Sequence, residues 1–243
     1  MLITLKHGSS SLEFGMHVHV IMPEKTPPKD GFKTLYLLHG YFGDYTDWLY
    51  ASNIIRYAES YDLVIVMPDG RNSYYVNHPN GLRFKDYITN DLIKRIEETF
   101  KVSKNRKDRF IAGLSMGGFG ALYLGLHHPS LFSKIAALSP VVDIQNMEDH
   151  FNQQERVYHF YTLFGKEDVK NGHLDLYKRA LEMKDQALYM SIGKEDFLIE
   201  ENRRFHTFLN EHHILHTYLE KEGKHDWNFW DDAIQNVLEW LFS

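Results

Sequence analysis

The chain has 243 residues, a net charge of −6 from 27 basic and 33 acidic side chains, 43% hydrophobic residues and no cysteine. That length suits one domain with a core large enough to need no staples, and the missing thiols exclude disulfides, cysteine-ligated metals and a thiol nucleophile. The acidic balance speaks against nucleic acid as a partner, and no apolar run reaches the roughly 20 residues needed for a membrane span.

The first eight residues carry no long apolar stretch behind a basic start, so no secretory leader and a cytoplasmic location are expected. Residues 2–5 and 12–22 read as strands, the second with Phe14, Met16, Val18 and Val20 on one face at period two. After a loop rich in Pro, Lys, Asp and Gly, residues 34–38 form a continuous apolar run, as expected of a strand buried on both faces, and end in His39-Gly40. Residues 46–59 read as a helix, and 63–67 as another buried strand that stops at Pro68-Asp69-Gly70. In 85–100, Ile88, Leu92, Ile96 and Phe100 recur every four residues, a helical stripe. A strand over 109–112 leads into a helix that runs to about His127. Further strands are expected at 134–138, 187–192 and 214–219, with a closing amphipathic helix over 232–242.

Strands alternating with helices of this length imply βαβ units and a mostly parallel, doubly wound α/β sheet in a single domain over 1–243. One stretch, about 141–184, breaks the rhythm: it is rich in His, Gln, Asn, Tyr and Phe and has no clear strand. It is expected to be a small helical cap inserted over the sheet's edge, either shaping a substrate cleft or lying on the surface with no role in binding.

Gly113-Leu114-Ser115-Met116-Gly117 matches G-x-S-x-G, the motif that places a nucleophilic serine on a sharp strand-to-helix turn in the α/β-hydrolase fold. The apolar strand before it and the small residues Gly118, Gly120 and Ala121 after it supply the context the motif requires. A dinucleotide fingerprint beginning at Gly118 fails, because Tyr123 stands where the third glycine belongs. A serine hydroxyl needs a base, and the base needs an orienting carboxylate, in the chain order Ser, acid, His. His225, in Gly223-Lys-His-Asp-Trp227 beyond the last strand, is the candidate base. His206, His212, His213 and His216 read as surface or packing residues, and His212-His-Ile-Leu-His216 lacks the glutamate of a zinc helix. Gly-Lys-Glu-Asp occurs twice; Asp196 follows a strand and is preferred to Asp168, with Glu195 left open. The oxyanion hole is assigned to the amides of Met116 and Tyr41, with Phe42 as fallback, and His39 to a structural hydrogen bond. Candidates for the substrate pocket are Phe42, Arg71, Tyr74 and Tyr75, within or near the 71–77 loop, and the insertion aromatics Phe151, Tyr158, Phe160, Tyr161 and Phe164. For the insertion aromatics, packing is an equal alternative. Trp227 and Trp230 read as core anchors of the His225 loop.

Leu38-His-Gly-Tyr-Phe-Gly43 with Trp48, Met67-Pro-Asp-Gly-Arg71, Gly113-Leu-Ser-Met-Gly-Gly118, Gly193-Lys-Glu-Asp-Phe197 and His225-Asp-Trp227 resemble the esterase D superfamily. Within it the likeness is nearest to bacterial tributyrin esterases, with S-formylglutathione hydrolases and feruloyl esterases as relatives. The resemblance covers nearly the whole chain. It implies Ser115, Asp196 and His225 as the triad, Tyr41 and Met116 as oxyanion donors, and carboxylesterase activity on short acyl chains. S-formylglutathione hydrolases typically carry a Ser-Gly-Leu-type sequence where His39-Gly-Tyr41 stands here, which makes that thioester the alternative substrate, together with feruloyl and acetyl-sugar esters. The expected partner is a small-molecule ester, with no metal or cofactor. The aromatic insertion leaves room for a homo-oligomer. The remaining alternative is a non-catalytic binding protein on the hydrolase fold.

Overall fold

A strand covered by helices on both faces must bury nearly every side chain, and the apolar runs of this chain meet that demand. The computed structural model describes residues 1–79, 81–144, 161–165 and 172–243. Its strands are β1 (Leu2–Ser9), β2 (Phe14–Ile21), β3 (Lys33–Leu38), β4 (Leu63–Pro68), β5 (Arg109–Leu114), β6 (Lys134–Leu138), β7 (Ala187–Gly193) and β8 (Thr217–Lys221). β4 and β5 are buried at every position, whereas β1, at an edge, alternates exposed and half-buried residues.

Among the described residues the strands join in the order β1-β2-β4-β3-β5-β6-β7-β8. The β1/β2 and β2/β4 pairs are antiparallel, and every pairing from β4 through β3 to β8 is parallel. This is the mostly parallel, doubly wound sheet that the alternation of elements predicts.

Alternate residues of the strands feed two cores. On one face Tyr36, Leu38, Val64, Val66, Ile111, Ile135 and Ala137 pack under the central helix, including Phe119, Leu122 and Leu126. On the other, Leu35, Leu37, Ile65, Met67, Phe110 and Ala136 meet Trp48, Ile54, Ile234, Val237 and Leu241. The period of two along the strands therefore matches helices on both sides.

Several elements differ from the sequence expectation. The helix expected over 46–59 is two short ones, α1 (Asp47–Ala51) and α2 (Ile54–Ala58). Ser52 is extended between them, and the Asn53 amide donates to Asp231 Oδ1 at 2.8 Å, a tertiary bond that outbids helix continuity. The stripe over 85–100 is helical, but α3 is composite: Phe84–Asp86, a π-helical turn Tyr87–Leu92, then Ile93–Thr99. The π turn carries Asp91, which accepts from Ser9 Oγ at 2.6 Å, Ser10 Oγ at 3.0 Å and the Ser11 amide at 2.9 Å, tying α3 to the β1–β2 turn.

Further helices are α4 (Met116–His127), α5 (Leu176–Ala180), α6 (Ile199–Glu211) and α7 (Trp227–Leu241). β8 begins at Thr217 rather than Ile214, because the Ile214 amide is spent on Leu209 O at 2.9 Å in the turn after α6. α7 begins five residues before the expected 232, capped by Asp226, whose carboxylate accepts from the Phe229 amide at 3.2 Å. Within the expected insertion, residues 141–144, 161–165 and 172–184 are described, including α5; Phe151, Tyr158, Phe160 and Asp168 lie outside the described residues. Among the described residues no helix is long and apolar enough to cross a membrane.

Candidate active site

β5 runs directly into Ser115, and α4 leaves from it. Ser115 has φ 52° and ψ −116°, a left-handed conformation that stores about 1–3 kcal/mol in a residue with a side chain. Its amide donates to Leu138 O at 2.9 Å, which pins the turn to the end of β6. α4 can approach the sheet this closely only because position 117 is bare: a Cβ on Gly117 would lie 2.5 Å from His39 O and 2.6 Å from Leu38 O.

The other two members of the sequence-derived triad arrive from the ends of β7 and β8. The loop after β7 is joined to the end of β8 and the loop beyond it by backbone bonds, Lys194 N to Lys221 O at 2.8 Å and Glu195 N to Gly223 O at 3.0 Å. Asp196 is wholly buried at its side chain, and its Oδ1 accepts the Leu198 amide at 2.9 Å. Its Oδ2 lies 2.8 Å from His225 Nδ1, and His225 Nε2 lies 2.9 Å from Ser115 Oγ. A carboxylate at Nδ1 holds the imidazole proton there and leaves the Nε2 lone pair facing the serine hydroxyl. Such an arrangement can take the hydroxyl proton as the oxygen attacks an acyl carbon. Glu195, left open by sequence, instead points to solvent, with Lys224 Nζ 3.6 Å away. The imidazole is framed by Phe197, with ring centroids 4.6 Å apart, and by Trp230 at 4.9 Å. Trp230 Nε1 in turn donates to Ser139 Oγ at 3.2 Å, and Trp227 packs edge-on against both Trp48 and Trp230. His206 and His216 pair with each other at 2.7 Å between α6 and the start of β8.

The loop after β3 lies against the serine. A Cβ at Gly40 would be in van der Waals contact with Ser115 Cβ at 3.7 Å and only 2.6 Å from Leu114 Cδ1, so a side chain there would displace Leu114 beside the serine. His39, almost fully buried, receives the Gly70 amide on Nε2 at 2.8 Å, so its Nδ1 carries the proton donated to Gly40 O at 2.8 Å. Burial holds its pKa below the usual histidine value, keeping the ring neutral in that role. Met116 is the first residue of α4, where amides have no intrahelical acceptor. The Phe42 amide is committed to Asn72 Oδ1 at 2.7 Å, which removes the fallback donor. Tyr41 packs its ring against Phe42 at 4.6 Å and Tyr74 at 5.9 Å.

The candidate pocket residues divide. Phe42 is 82% exposed, on the surface of the loop after β3. Arg71 is also exposed, and its Nε meets Asp69 Oδ2 at 3.2 Å. Tyr74 is buried between Tyr41 and Phe164, whose ring is 5.0 Å away. Tyr75, grouped with them from sequence, is a core residue: it has no exposure, and its hydroxyl donates to His39 O at 3.1 Å. Phe164 also lines a cavity of about 200 Å³ with Val76, Asn77, Tyr123, His173 and Leu174. Non-glycine residues with positive φ gather here: Phe42, Arg71, Tyr74, Tyr75, Ser115 and Ser139. Sequence reasoning missed Asn72, whose only signal was its place in the 71–77 loop, and the Glu201-Asn202 pair on α6, which had none.

The model of the family described as esterase matches residues 9–241. The acetyl esterase of Caldicellulosiruptor saccharolyticus is 32% identical over 252 residues, spanning 96% of this chain and 95% of that protein. Among solved structures, the fluorophosphonate-binding serine hydrolase FphF of Staphylococcus aureus superposes with a TM-score of 0.91 at 30% identity, covering 100% of this chain and 98% of that one. The S-formylglutathione hydrolase FrmB of the same organism gives 0.88 at 30% identity, covering 100% and 99%.

Proposed function

The chain belongs to the esterase family and is a carboxylic ester hydrolase of the α/β-hydrolase fold, and we propose that Ser115 is the nucleophile of its serine esterase mechanism. Ser115 Oγ attacks the ester carbonyl carbon while His225 Nε2 takes its proton. The tetrahedral oxyanion is held by the amides of Met116 and Tyr41. Collapse expels the alcohol, which leaves with the proton from His225, and an acyl-serine remains. Water, deprotonated by the same imidazole, then hydrolyses that ester and frees the acid. Asp196 keeps the imidazole oriented and stabilises its cation in both halves. The observation that carries this reading is the unbroken chain from Asp196 Oδ2 through His225 to Ser115 Oγ, at 2.8 and 2.9 Å.

Labelling with a fluorophosphonate tests it: one adduct on the wild-type protein that disappears in Ser115→Ala supports the assignment. A wild-type protein that does not react removes it.

The substrates are short-chain acyl esters. The aromatic wall of Tyr41, Tyr74 and Phe164 beside the oxyanion loop supports a short acyl site, as does the likeness to an acetyl esterase. The likeness to an S-formylglutathione hydrolase favours a second reading, a small acyl thioester. Rates for p-nitrophenyl esters of graded length, S-formylglutathione, feruloyl esters and acetylated sugars separate these. A preference for long acyl chains would contradict the short-chain reading.

A further inference from the structure

The segment leaving β6 passes directly over the serine turn. The Val141 amide reaches Ser115 O at 3.5 Å, and a Cβ on Gly118 would lie 2.9 Å from Pro140 Cα. Two adjacent residues in the first turn of α6 grip this segment from the side of the acid loop. Glu201 Oε1 accepts the Val142 amide at 2.9 Å, and Asn202 Nδ2 donates to Pro140 O at 2.9 Å. Both side chains belong to residues at least nine-tenths buried. A carboxylate in such a place is expensive unless it holds something, and among the described residues neither side chain hydrogen-bonds to Ser115, His225 or Asp196.

We propose that Glu201 is a positioning residue for ester hydrolysis: it holds residues 140–144 against the Ser115 turn as one wall of the substrate site, and so governs substrate affinity rather than the chemical step. The proposal rests on Ser115 being the nucleophile.

Among the described residues, four groups face the Glu201 carboxyl. Asp143 comes from the held segment, Arg204 from the next turn of α6, Tyr74 from the loop after β4 and Tyr177 from α5. Burial, reinforced by Asp143, pushes the carboxyl up to about 7, against the opposing pull of the Val142 and Asp143 amides and of Arg204. The ionised form is the stronger acceptor for those amides, so the wall is held most firmly above that pH.

The test is KM and kcat for p-nitrophenyl acetate, a neutral ester, from about pH 6 to about pH 8.5, in wild type and Glu201→Gln. In wild type KM is expected to fall as pH rises. In Glu201→Gln the step should vanish, with KM about tenfold above wild type at the alkaline end and kcat within about twofold. A wild-type KM that is flat with pH overturns the proposal, and so does a variant whose loss lies in kcat. Should Glu201→Gln not fold, the wild-type profile still decides, and Glu201→Asp, charged but shorter, should raise KM while keeping the pH step. Fluorophosphonate labelling keeps the two readings apart: an unreactive wild-type protein sinks the assignment of Ser115, whereas a reactive one with a flat KM sinks only the role of Glu201.

Discussion

The Phe42 amide donates to Asn72 Oδ1 at 2.7 Å, and the bond fastens a residue held at φ 67° in the loop after β3 to the loop after β4. That acceptor reinforces the Gly43 N to Gly40 O bond of 3.2 Å that closes the turn around Phe42; its loss should loosen a conformation costing about 1–3 kcal/mol and disturb the neighbouring Tyr41 amide, the proposed oxyanion donor. Asn72→Ala is therefore expected to lower kcat by about 10- to 100-fold, short of the loss on deleting an oxyanion donor outright, with KM little changed. An unchanged kcat for p-nitrophenyl acetate would show that the loop holds its shape without Asn72.

Asp196 and Glu195 are neighbours with opposite surroundings. Asp196 is buried and bonded to His225 Nδ1, while Glu195 is 62% exposed at its side chain and 3.6 Å from Lys224 Nζ. Asp196→Asn leaves the shape but presents an amide to the imidazole, favouring the wrong tautomer. It should cost on the order of 10⁴ in kcat. Glu195→Gln should leave kcat/KM within about twofold, as surface ion pairs contribute little. Measured side by side, comparable losses in the two variants would refute the assignment of the acid.

Tyr74 and Tyr75 offer a sharper division between pocket and scaffold. Tyr75→Phe removes only the hydroxyl that donates to His39 O, so it should lower stability by about 0.5–1.5 kcal/mol in urea unfolding and leave acyl-chain preference unaltered. Tyr74→Ala shortens the wall between Tyr41 and Phe164 and should shift the preferred p-nitrophenyl ester toward longer chains. A changed chain preference in Tyr75→Phe would put that residue back in the pocket.

Why sequence separated some of these residues and not others is a matter of how local the cause is. The turn at Ser115 is legible because its constraint is local: a strained φ next to a close helix–strand approach demands small residues at fixed offsets, and Gly113, Gly117 and Gly118 supply them. Asp196 and His225 are legible as the acid and histidine that follow strand ends in the right chain order. Tyr74 and Tyr75 are not separable that way, because both have positive φ, 51° and 58°, and the strand rule that neighbours face opposite sides does not apply. The break at Ser52 and the π turn in α3 depend on Asp231 and on the serines after β1, partners 178 and about 80 residues away in sequence. Glu201 binds main-chain amides, which every sequence possesses, so its role leaves no pattern to read.

The same carboxyl makes a stability prediction that does not depend on activity. Its pKa rises from 4.5 to about 7 on folding, burial being the largest cause. Between those values the folded chain keeps a proton that the unfolded chain has lost, so the contribution of Glu201 is full below about pH 4.5 and disappears as pH rises through about 7. Glu201→Gln has no proton to lose. The unfolding free energy of the variant minus that of wild type should therefore be constant in acid and climb with pH across this window. It should level off on the order of 3 kcal/mol higher above neutrality. Subtraction cancels the titration of groups that do not interact with Glu201, provided the variant keeps the fold. Urea unfolding at several pH values measures the difference directly, and a difference that declines with pH would mean that Glu201 is ionised in the folded protein well below neutrality.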